Sequence, residues 1–421
     1  MAATIPDGWQ ADGVRPVGYS ELEGRPAFKL TITEVDGRWY LYTGHFWHSG
    51  WSVVDVTDPA QPVVTSFLSG PENTAKLQVD LSGSILVTAL ERHIPGFGGD
   101  PHAPYDEGVL LWSLDDPAQP RRLGQFRTGG NGTHRNGYPG GRYVHLAANM
   151  AGYSGNIYVI LDITDPTNPV EAGRWWVPGQ HLDSGEQSAK PGISLHGPPV
   201  PVDDLVYLPY GSAGMIVLDI SDVAAPRRLD ELSFSPPFRL QFGVDSVVPD
   251  PQRALAYLNS EGVVEPRGTV PPWLDGADHV SVVDISDPTD LRLVSLFPRP
   301  RPPQGAPYAD FRDRPGWSGP HNQSQLHHNP HVAPQDHLVY LTYFNAGLRI
   351  FDLTEPRLPT EVAWFLPPDP TRRYGPLPTS ELVVQSEDVL VDRRGLIYLT
   401  DKNQGLWILK AESASVNVPS S

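Results

Sequence analysis

Short apolar runs of four to six residues recur along the whole chain, separated by Gly, Pro and Asp. The runs are rich in Val, Ile, Leu and Tyr, as in 338–342 and 396–400. Branched and aromatic residues bounded by turn-forming residues predict β-strands. Gly and Pro contribute 40 and 46 of the 421 residues, and these helix-breaking residues are too frequent for a mainly helical protein.

One larger unit repeats: an apolar strand, then an Asp, then a turn that begins Asp-Pro. The reference position of the copies is occupied by Asp55, Ser113, Asp162, Asp219, Asp284, Asp352 and, in a degenerate copy, Lys410. Successive reference positions are 49 to 68 residues apart. Four short strands in a unit of this length are typical of a propeller blade. Seven copies therefore predict an all-β fold, a single seven-bladed β-propeller domain spanning residues 1–421.

The two ends of the chain predict how the ring closes. The seventh copy ends near Leu409, and only the polar tail 411–421 follows it, so this copy lacks an outer strand. Residues 14–20 resemble the strands that follow the turn in other copies, such as 61–65. We therefore expect this N-terminal strand to complete blade 7 and hide an edge that would otherwise be exposed.

The repeated pattern, strand–Asp–[Val/Ile/Leu]–[Ser/Thr]–Asp–Pro, resembles the LVIVD-repeat family of β-propellers. Six good copies extend the resemblance over nearly the whole chain. It implies the propeller fold and says little about activity, because function does not follow from fold.

Composition narrows the possible partners and locations. Asp and Glu outnumber Lys and Arg by 49 to 31, a net charge of −18, which argues against nucleic acid or anionic lipid as a partner. Cysteine is absent, which excludes disulfides and thiolate chemistry. No apolar run reaches the roughly 20 residues of a membrane span. The first ten residues have neither a basic nor an apolar leader segment, so we expect a cytoplasmic protein with no membrane partner.

Long connections are predicted to gather on one face of the ring. They are 91–108, 180–194, 259–279, 297–325 and 366–385, and they carry several aromatic residues, Trp273 and Trp317 among them. Long loops on one rim are typical of a pocket. The alternative is that they only cap the ring.

Histidines recur in register at the start of the innermost strands. The same slot holds His134, His196, His328 and Glu387 in blades 3, 4, 6 and 7. Equivalent positions in a ring converge near the axis. Three imidazoles and a carboxylate suit a divalent metal ion, with Fe(II) favoured and Zn(II) or Mn(II) possible. A hydrogen-bonded ring of histidines around water is the alternative.

Blade 6 is ambiguous, because His327, His328 and His331 are close together and only the alignment between blades selects His328. Asp245 and Asp388 are candidates to orient the ligand histidines. Arg135, by strand alternation, is expected to point away from the axis.

We therefore predict a metal-dependent enzyme, most simply a non-heme iron-type oxygenase or oxidoreductase acting on a small aromatic or hydrophobic molecule. Glu387 and His328 would serve as catalytic residues as well as ligands. The axial histidines are similar in plan to those of the carotenoid-cleaving oxygenases, an analogy of architecture without shared sequence. The alternatives are a lyase or hydrolase that uses the same cluster, with or without a metal, and a non-catalytic binding scaffold.

Overall fold

The computed structural model describes residues 4–187, 192–234, 243–262, 279–325, 327–334 and 336–412. Within these ranges the regular structure is β-strand, apart from three single-turn 3₁₀ helices at Leu22–Gly24, Pro95–Phe97 and Phe311–Asp313. Among the described residues, no helix has the length and hydropathy needed to cross a membrane.

The strands follow one another as antiparallel meanders, each corresponding to one predicted blade. The first two strands are β1 (Gln10–Asp12) and β2 (Val14–Ser20). Blade 1 contains β3 (Ala27–Val35), β4 (Arg38–His45), β5 (Gly50–Asp55) and β6 (Val63–Ser69). Blade 2 contains β7 (Thr74–Ala75), β8 (Val79–Ser82), β9 (Ile85–Arg92), β10 (Gly108–Ser113) and β11 (Arg121–Phe126). Blade 3 contains β12 (Gly129–Gly137), β13 (Tyr143–Met150), β14 (Ile157–Asp162) and β15 (Val170–Trp175).

The second half of the chain continues the same plan. Blade 4 contains β16 (Val200–Val202), β17 (Leu205–Pro209), β18 (Met215–Asp219) and β19 (Arg227–Leu232). Blade 5 contains β20 (Val244–Asp250), β21 (Leu255–Ser260), β22 (Val280–Asp284) and β23 (Arg292–Leu296). Blade 6 contains β24 (Leu338–Thr342), β25 (Leu348–Asp352) and β26 (Thr360–Leu366). Blade 7 contains β27 (Ser386–Val391), β28 (Leu396–Asp401) and β29 (Leu406–Ala411). The described strands form six sheets, because β9 of blade 2 pairs with β12 of blade 3 at Glu91 and Gly132 and joins these two blades. The fold is an all-β propeller, as predicted.

The repeated Asp stabilises the turn between the third and fourth strands of a blade. In blade 3, Asp162 Oδ1 accepts hydrogen bonds from the backbone nitrogen and the hydroxyl of Thr164, at 2.8 and 2.7 Å. The second Asp of the motif, Asp165, accepts in the same way from Thr167. These side chains satisfy turn backbone groups that have no strand partner. The repeat therefore marks a turn, while the apolar strands between turns pack blade against blade.

The ring closes as predicted. Strand β2 pairs antiparallel with β29, from Val14 opposite Ala411 to Ser20 opposite Leu406. Gly18 lies so close to the carbonyl of Pro59, in the turn of blade 1, that an added Cβ would lie 1.8 Å from that oxygen. A glycine in the outer strand of blade 3, Gly173, meets the turn of blade 4 in the same way. Strand β2 is thus a full outer strand of blade 7.

Blade 6 departs from the predicted plan in two places. Strand β1 adds an extra outer strand to it, pairing with β26. Its innermost segment lies at 321–325, where Gln323 bridges Leu341, and not at 328–332. The connection from this segment to β24 is therefore long. It crosses the axis, where the Asn329 side chain donates to Ile32 O of blade 1 at 2.7 Å.

The long-loop prediction can be followed only in part. Residues 263–278 of the loop 259–279, including Trp273, lie outside the described residues, as do 188–191 of the loop 180–194 and residues 413–421 of the C-terminal tail.

Candidate functional site

A cavity of about 340 Å³ lies on the propeller axis, at the end where loop 91–108 begins. Its polar wall carries the side chains of Glu91, His134, Arg135, His196, Glu261, His321 and Glu387. Phe28, Phe46, Phe97 and Trp317 supply much of its apolar wall. The cavity therefore places a cluster of ionisable groups against an aromatic surface.

β-Bulges aim the innermost strands at this cavity. The pairing of β12 shifts between Thr133 and Arg135, which leaves His134 in the bulge. The pairing of β27 shifts in the same way around Glu387. A bulge puts an extra residue into one strand and turns its side chain out of the regular alternation. This is why Arg135 also lines the cavity, where strand alternation had predicted that it would point away.

His134 is held from one side by a carboxylate. Its Nδ1 lies 2.9 Å from Glu91 Oε2, and its ring centroid is 4.7 Å from that of His196. The other ring nitrogen, Nε2, is buried and has no hydrogen-bond partner among the described residues. Metal-binding histidines usually have this arrangement: one ring nitrogen donates to a carboxylate, and the other is free to bind the metal ion.

His196 faces two carboxylates at once. Its Nε2 lies 3.0 Å from Asp245 Oδ1 and 3.2 Å from Glu261 Oε2. These three residues offer ligand atoms that all lie within 4.8 Å of one another. Burial disfavours the charged imidazolium, but the hydrogen bonds and charges of Asp245 and Glu261 outweigh it and raise the pKa of His196 to about 9. Asp245, proposed from the sequence as an orienting residue, thus contacts His196 directly.

His321 completes the cluster and was not among the predicted ligands. Its Nδ1 lies 3.1 Å from Glu387 Oε2, and its Nε2 lies 3.4 Å from Glu261 Oε1. The ring stacks on Phe344 at a centroid distance of 4.5 Å. Glu261 therefore lies between two imidazoles, His196 and His321.

Glu387 is held by a buried lysine. Lys402 Nζ lies 2.8 Å from Glu387 Oε1 and 3.5 Å from the centroid of the Trp317 ring. Burial alone would favour the neutral acid, but the charge of Lys402 and the contact with His321 lower the pKa of Glu387. The ion pair keeps Glu387 ionised beside His321 Nδ1.

The cluster carries more negative than fixed positive charge. Burial opposes the ionisation of Glu91, Asp245 and Glu261. The neighbouring imidazoles nevertheless hold the pKa of Glu91 and Glu261 below its usual value. For Asp245 the charge of Arg135 comes first and His196 second, and together they lower its pKa. With Glu387 there are four carboxylates, against the cations Arg135 and Lys402, among the described residues of the cluster. Such an excess in a buried place needs protonated imidazoles or a bound cation to balance it.

The prediction that His328 joins His134, His196 and Glu387 is wrong in its geometry. His328 Nε2 lies 3.2 Å from Asp80 Oδ1 in a different cavity, towards the opposite end of the axis. The cause is the innermost segment of blade 6, where 321–325 pairs with β24 and residues after it form the connection. His327 and His331 belong to that connection too, and neither lines the cluster.

The sequence held one signal against His328 and few signals for the missed residues. Asn329-Pro330 follows His328 directly, and this dipeptide marks a turn or loop better than a strand. Glu91 and Glu261 lie at the ends of second strands, β9 and β21, and reach the site across the blades. No local pattern distinguishes such positions.

Asp388, which the sequence suggested as an orienting residue, has a different partner. Its carboxylate lies 2.9 Å from Lys29 Nζ, and it does not orient any of the histidines of the cluster.

Comparison with known proteins supports the fold and the repeat. The LVIVD repeat model matches residues 151–176 and 275–297. No curated protein matches the chain. A hypothetical selenium-binding protein from Sulfolobus tokodaii is similar in structure, with a TM-score of 0.57 and 11% identity over 95% of this chain and 92% of that one. The periplasmic gluconolactonase of Pseudomonas aeruginosa has a TM-score of 0.54 and 12% identity, covering 92% of this chain and 99% of the other.

A β-propeller domain from Myceliophteria thermophila is also similar, with a TM-score of 0.56 and 10% identity over 96% of this chain and all of the other. At these identities the likeness shows the fold alone. The resemblance read from the repeat is thus confirmed: the chain is a β-propeller that carries the LVIVD repeat.

Proposed function

We propose that the protein is a metal-dependent enzyme whose divalent metal ion is held on the axis by His134, His196, His321 and Glu261. The observation that carries the proposal is the pairing of each outer imidazole with a carboxylate through Nδ1: His134 with Glu91 and His321 with Glu387. With the proton on Nδ1, each ring carries its lone pair on Nε2. The Nε2 of His134 has no partner among the described residues, and that of His321 lies 3.4 Å from Glu261 Oε1 and 3.3 Å from the amide nitrogen of Asn322.

The donor set fits a metal ion chemically. The Nε2 of His134 is buried without a partner, and carboxylates crowd the Nε2 atoms of His196 and His321. A divalent cation among these atoms would also offset the two unbalanced carboxylates of the cluster. Mixed imidazole and carboxylate ligands suit Fe(II), which we favour, and also Zn(II) and Mn(II).

The apolar wall indicates the class of substrate. Phe28, Phe46 and Phe97 face the cluster across a cavity large enough for a small molecule. An aromatic or otherwise hydrophobic substrate would bury its apolar surface there and exclude water from the polar side. Bound Fe(II) would supply oxidation chemistry with dioxygen. Arg135 also lines this cavity, where its guanidinium lies 3.4 Å from Asp245, and its charge would attract an anionic group of the substrate.

Metal analysis of purified variants tests the site. Wild-type protein should bind one equivalent of Fe(II), and His134→Ala, His196→Ala and His321→Ala should each lose most of it. His328→Ala is the matched control, because this histidine also contacts a carboxylate but lies in the other cavity, and it should bind metal as wild type does. Full occupancy in the first three variants would contradict the assignment.

Oxygen uptake tests the reaction class. Fe(II)-loaded protein, screened against small aromatic compounds, should consume dioxygen with at least one of them, and chelation should abolish the uptake without unfolding the ring.

A metal-free acid–base enzyme is the second candidate, favoured by one observation. His196 with two carboxylates on the same nitrogen is held as an imidazolium, because they raise its pKa to about 9, and it could donate a proton to a substrate. Turnover that persists after exhaustive chelation, but is lost in His196→Ala, would favour this candidate over the metal enzyme.

A further inference from the structure

A second cavity, of about 230 Å³, lies on the far side of the axial cluster. Gln78 borders both cavities, and consecutive residues of β12 divide between them: His134 and Arg135 line the first, and Asn136 lines the second. The connection that carries His327 and His328 forms part of its wall. Nothing in the proposed metal chemistry uses this cavity.

Carboxamide side chains without partners surround it. Gln78, Asn136 and Gln325 are 4%, 5% and 7% exposed, so each is more than nine-tenths buried. The amide nitrogens of all three, and the amide oxygens of Asn136 and Gln325, have no hydrogen-bond partner among the described residues. The Nε2 of His327 is in the same state. Buried polar groups are nearly always paired, so these groups need partners that enter from the cavity.

The charged groups of the cavity are already occupied. Asp80 accepts from the backbone nitrogens of Leu81 and Tyr138 at 2.8 and 2.7 Å, and His328 lies 3.2 Å away. Lys29 is paired with Asp388 at 2.9 Å. Among the described residues of the lining, a charged ligand would therefore find no free counter-charge, whereas a neutral ligand can bond to the amides that lack partners.

Amides and hydroxyls match each other as hydrogen-bonding groups. A carboxamide offers donors on nitrogen and an acceptor on oxygen, and a hydroxyl is both donor and acceptor. The terminal amide torsion is soft, so small rotations can direct these groups to a ligand. Tyr138 and a set of prolines, among them Pro199 and Pro249, give the wall rigid apolar faces for C–H groups.

We propose that this carboxamide cavity is a second binding site, for a small neutral molecule with several hydroxyl groups, of the size of a cyclitol or monosaccharide. The site is independent of the metal cluster, so an experiment that rejects the second binding site would not contradict the proposed function.

Calorimetric titration with myo-inositol and D-glucose tests the proposal. At least one of them should bind, whereas D-gluconate and D-glucosamine, which carry a charge, should bind at least about tenfold more weakly. No binding of either neutral probe, or equal binding of the charged probes, would overturn it.

Variants locate the binding. Asn136→Leu and Gln325→Met replace the amides by apolar groups of similar shape and should weaken binding about tenfold or more, the effect of one lost hydrogen bond to a buried group. The exposed amide variant Gln119→Leu is the matched control and should bind as wild type. His196→Ala should also bind as wild type, because it alters only the other cavity.

The melting temperatures of the ligand-free variants show whether a loss of binding is due to misfolding. Because the amides lack partners in the free protein, Asn136→Leu and Gln325→Met should melt no lower than wild type. Lower melting temperatures together with no probe binding would assign the cavity to ordered water and reject the proposal.

Discussion

The two cavities on the axis are built by the same strands and differ in almost every chemical respect. In the cavity of the metal cluster, imidazoles and carboxylates contact one another, and carboxylates outnumber fixed cations. In the carboxamide cavity, the described charges are paired, and the groups without a described partner are amides and the Nε2 of His327. A shift of a single residue along β12, from Arg135 to Asn136, moves from one environment to the other.

The difference shows how a propeller can hold two kinds of site in one channel. Backbone geometry is shared, because every blade sends one strand to the axis. The chemistry depends on which residue stands at each depth. At one depth the bulged residues His134, Asp245 and Glu387 supply charge. At the next depth β12 carries the amide of Asn136, and the charged side chains there, Lys29 and Asp80, are already paired.

Removing the buried ion pair between Lys29, in the wall of the carboxamide cavity, and Asp388 should have the largest effect. Burial lowers the pKa of Lys29 and raises that of Asp388, so the attraction between them recovers only part of their desolvation cost. Lys29→Met leaves the Asp388 carboxylate buried without its cation, although it still accepts from the backbone nitrogen of Leu30 at 2.8 Å. The variant should lower the free energy of unfolding by about 3–5 kcal/mol, measured by urea denaturation. The double variant Lys29→Met, Asp388→Leu should recover most of that loss. A single-variant loss under about 1 kcal/mol would show that Asp388 does not depend on Lys29 for its burial.

Neutralising a carboxylate that holds a ligand histidine should have an intermediate effect. Glu91→Gln keeps the shape but weakens the hold on His134 Nδ1, so Fe(II) affinity should fall by about 10- to 100-fold. The matched control is Asp80→Asn, which alters the carboxylate beside His328 in the carboxamide cavity. Metal titration of both folded variants checks the contrast, and equal affinities would remove the distinction between the two histidine–carboxylate pairs.

The response to pH should be the smallest for each step of the variable, at most about tenfold per pH unit, and should separate the cavities by their charge. His196 is protonated in the metal-free cluster below its pKa of about 9. Metal binding must displace that proton, so affinity should rise by up to about tenfold per pH unit from pH 7 to 9 and then level off. Binding of myo-inositol should change little over the same range. A metal affinity that is flat above pH 7 would mean that His196 is not a ligand, or that its carboxylate neighbours do not hold its proton.

The fold could be predicted because its signal is local. The Asp that caps each turn and the apolar run before it recur within a dozen residues, as at Asp162 and Asp352. Closure followed from the missing outer strand after Leu409. The extra strand β1 could not be predicted in this way, since its three residues are too few to show an alternation of apolar and polar positions.

The site could be predicted only where it follows the strand register. His134, His196 and Glu387, which line one cavity, could be selected because they occupy the same position in the aligned innermost segments of their blades. His321 was missed because the innermost segment of blade 6 reads His-Asn-Gln-Ser-Gln, without the apolar alternation that identifies a strand. Glu91 and Glu261 were missed because their contacts with histidines cross between blades, and such contacts are set by the closed ring.

Closure by β2 has a consequence for how the chain acquires its structure during synthesis. The partner of β2 is β29 (Leu406–Ala411), which is synthesised only after the strands of the six other blades. Until then β2 has no partner in blade 7, and that blade cannot be completed. Pairing across so long a separation in sequence is slow, because the loop entropy is lost before the contacts form. The axial cavities, which need all the blades around them, therefore come into being last, after the ring has closed.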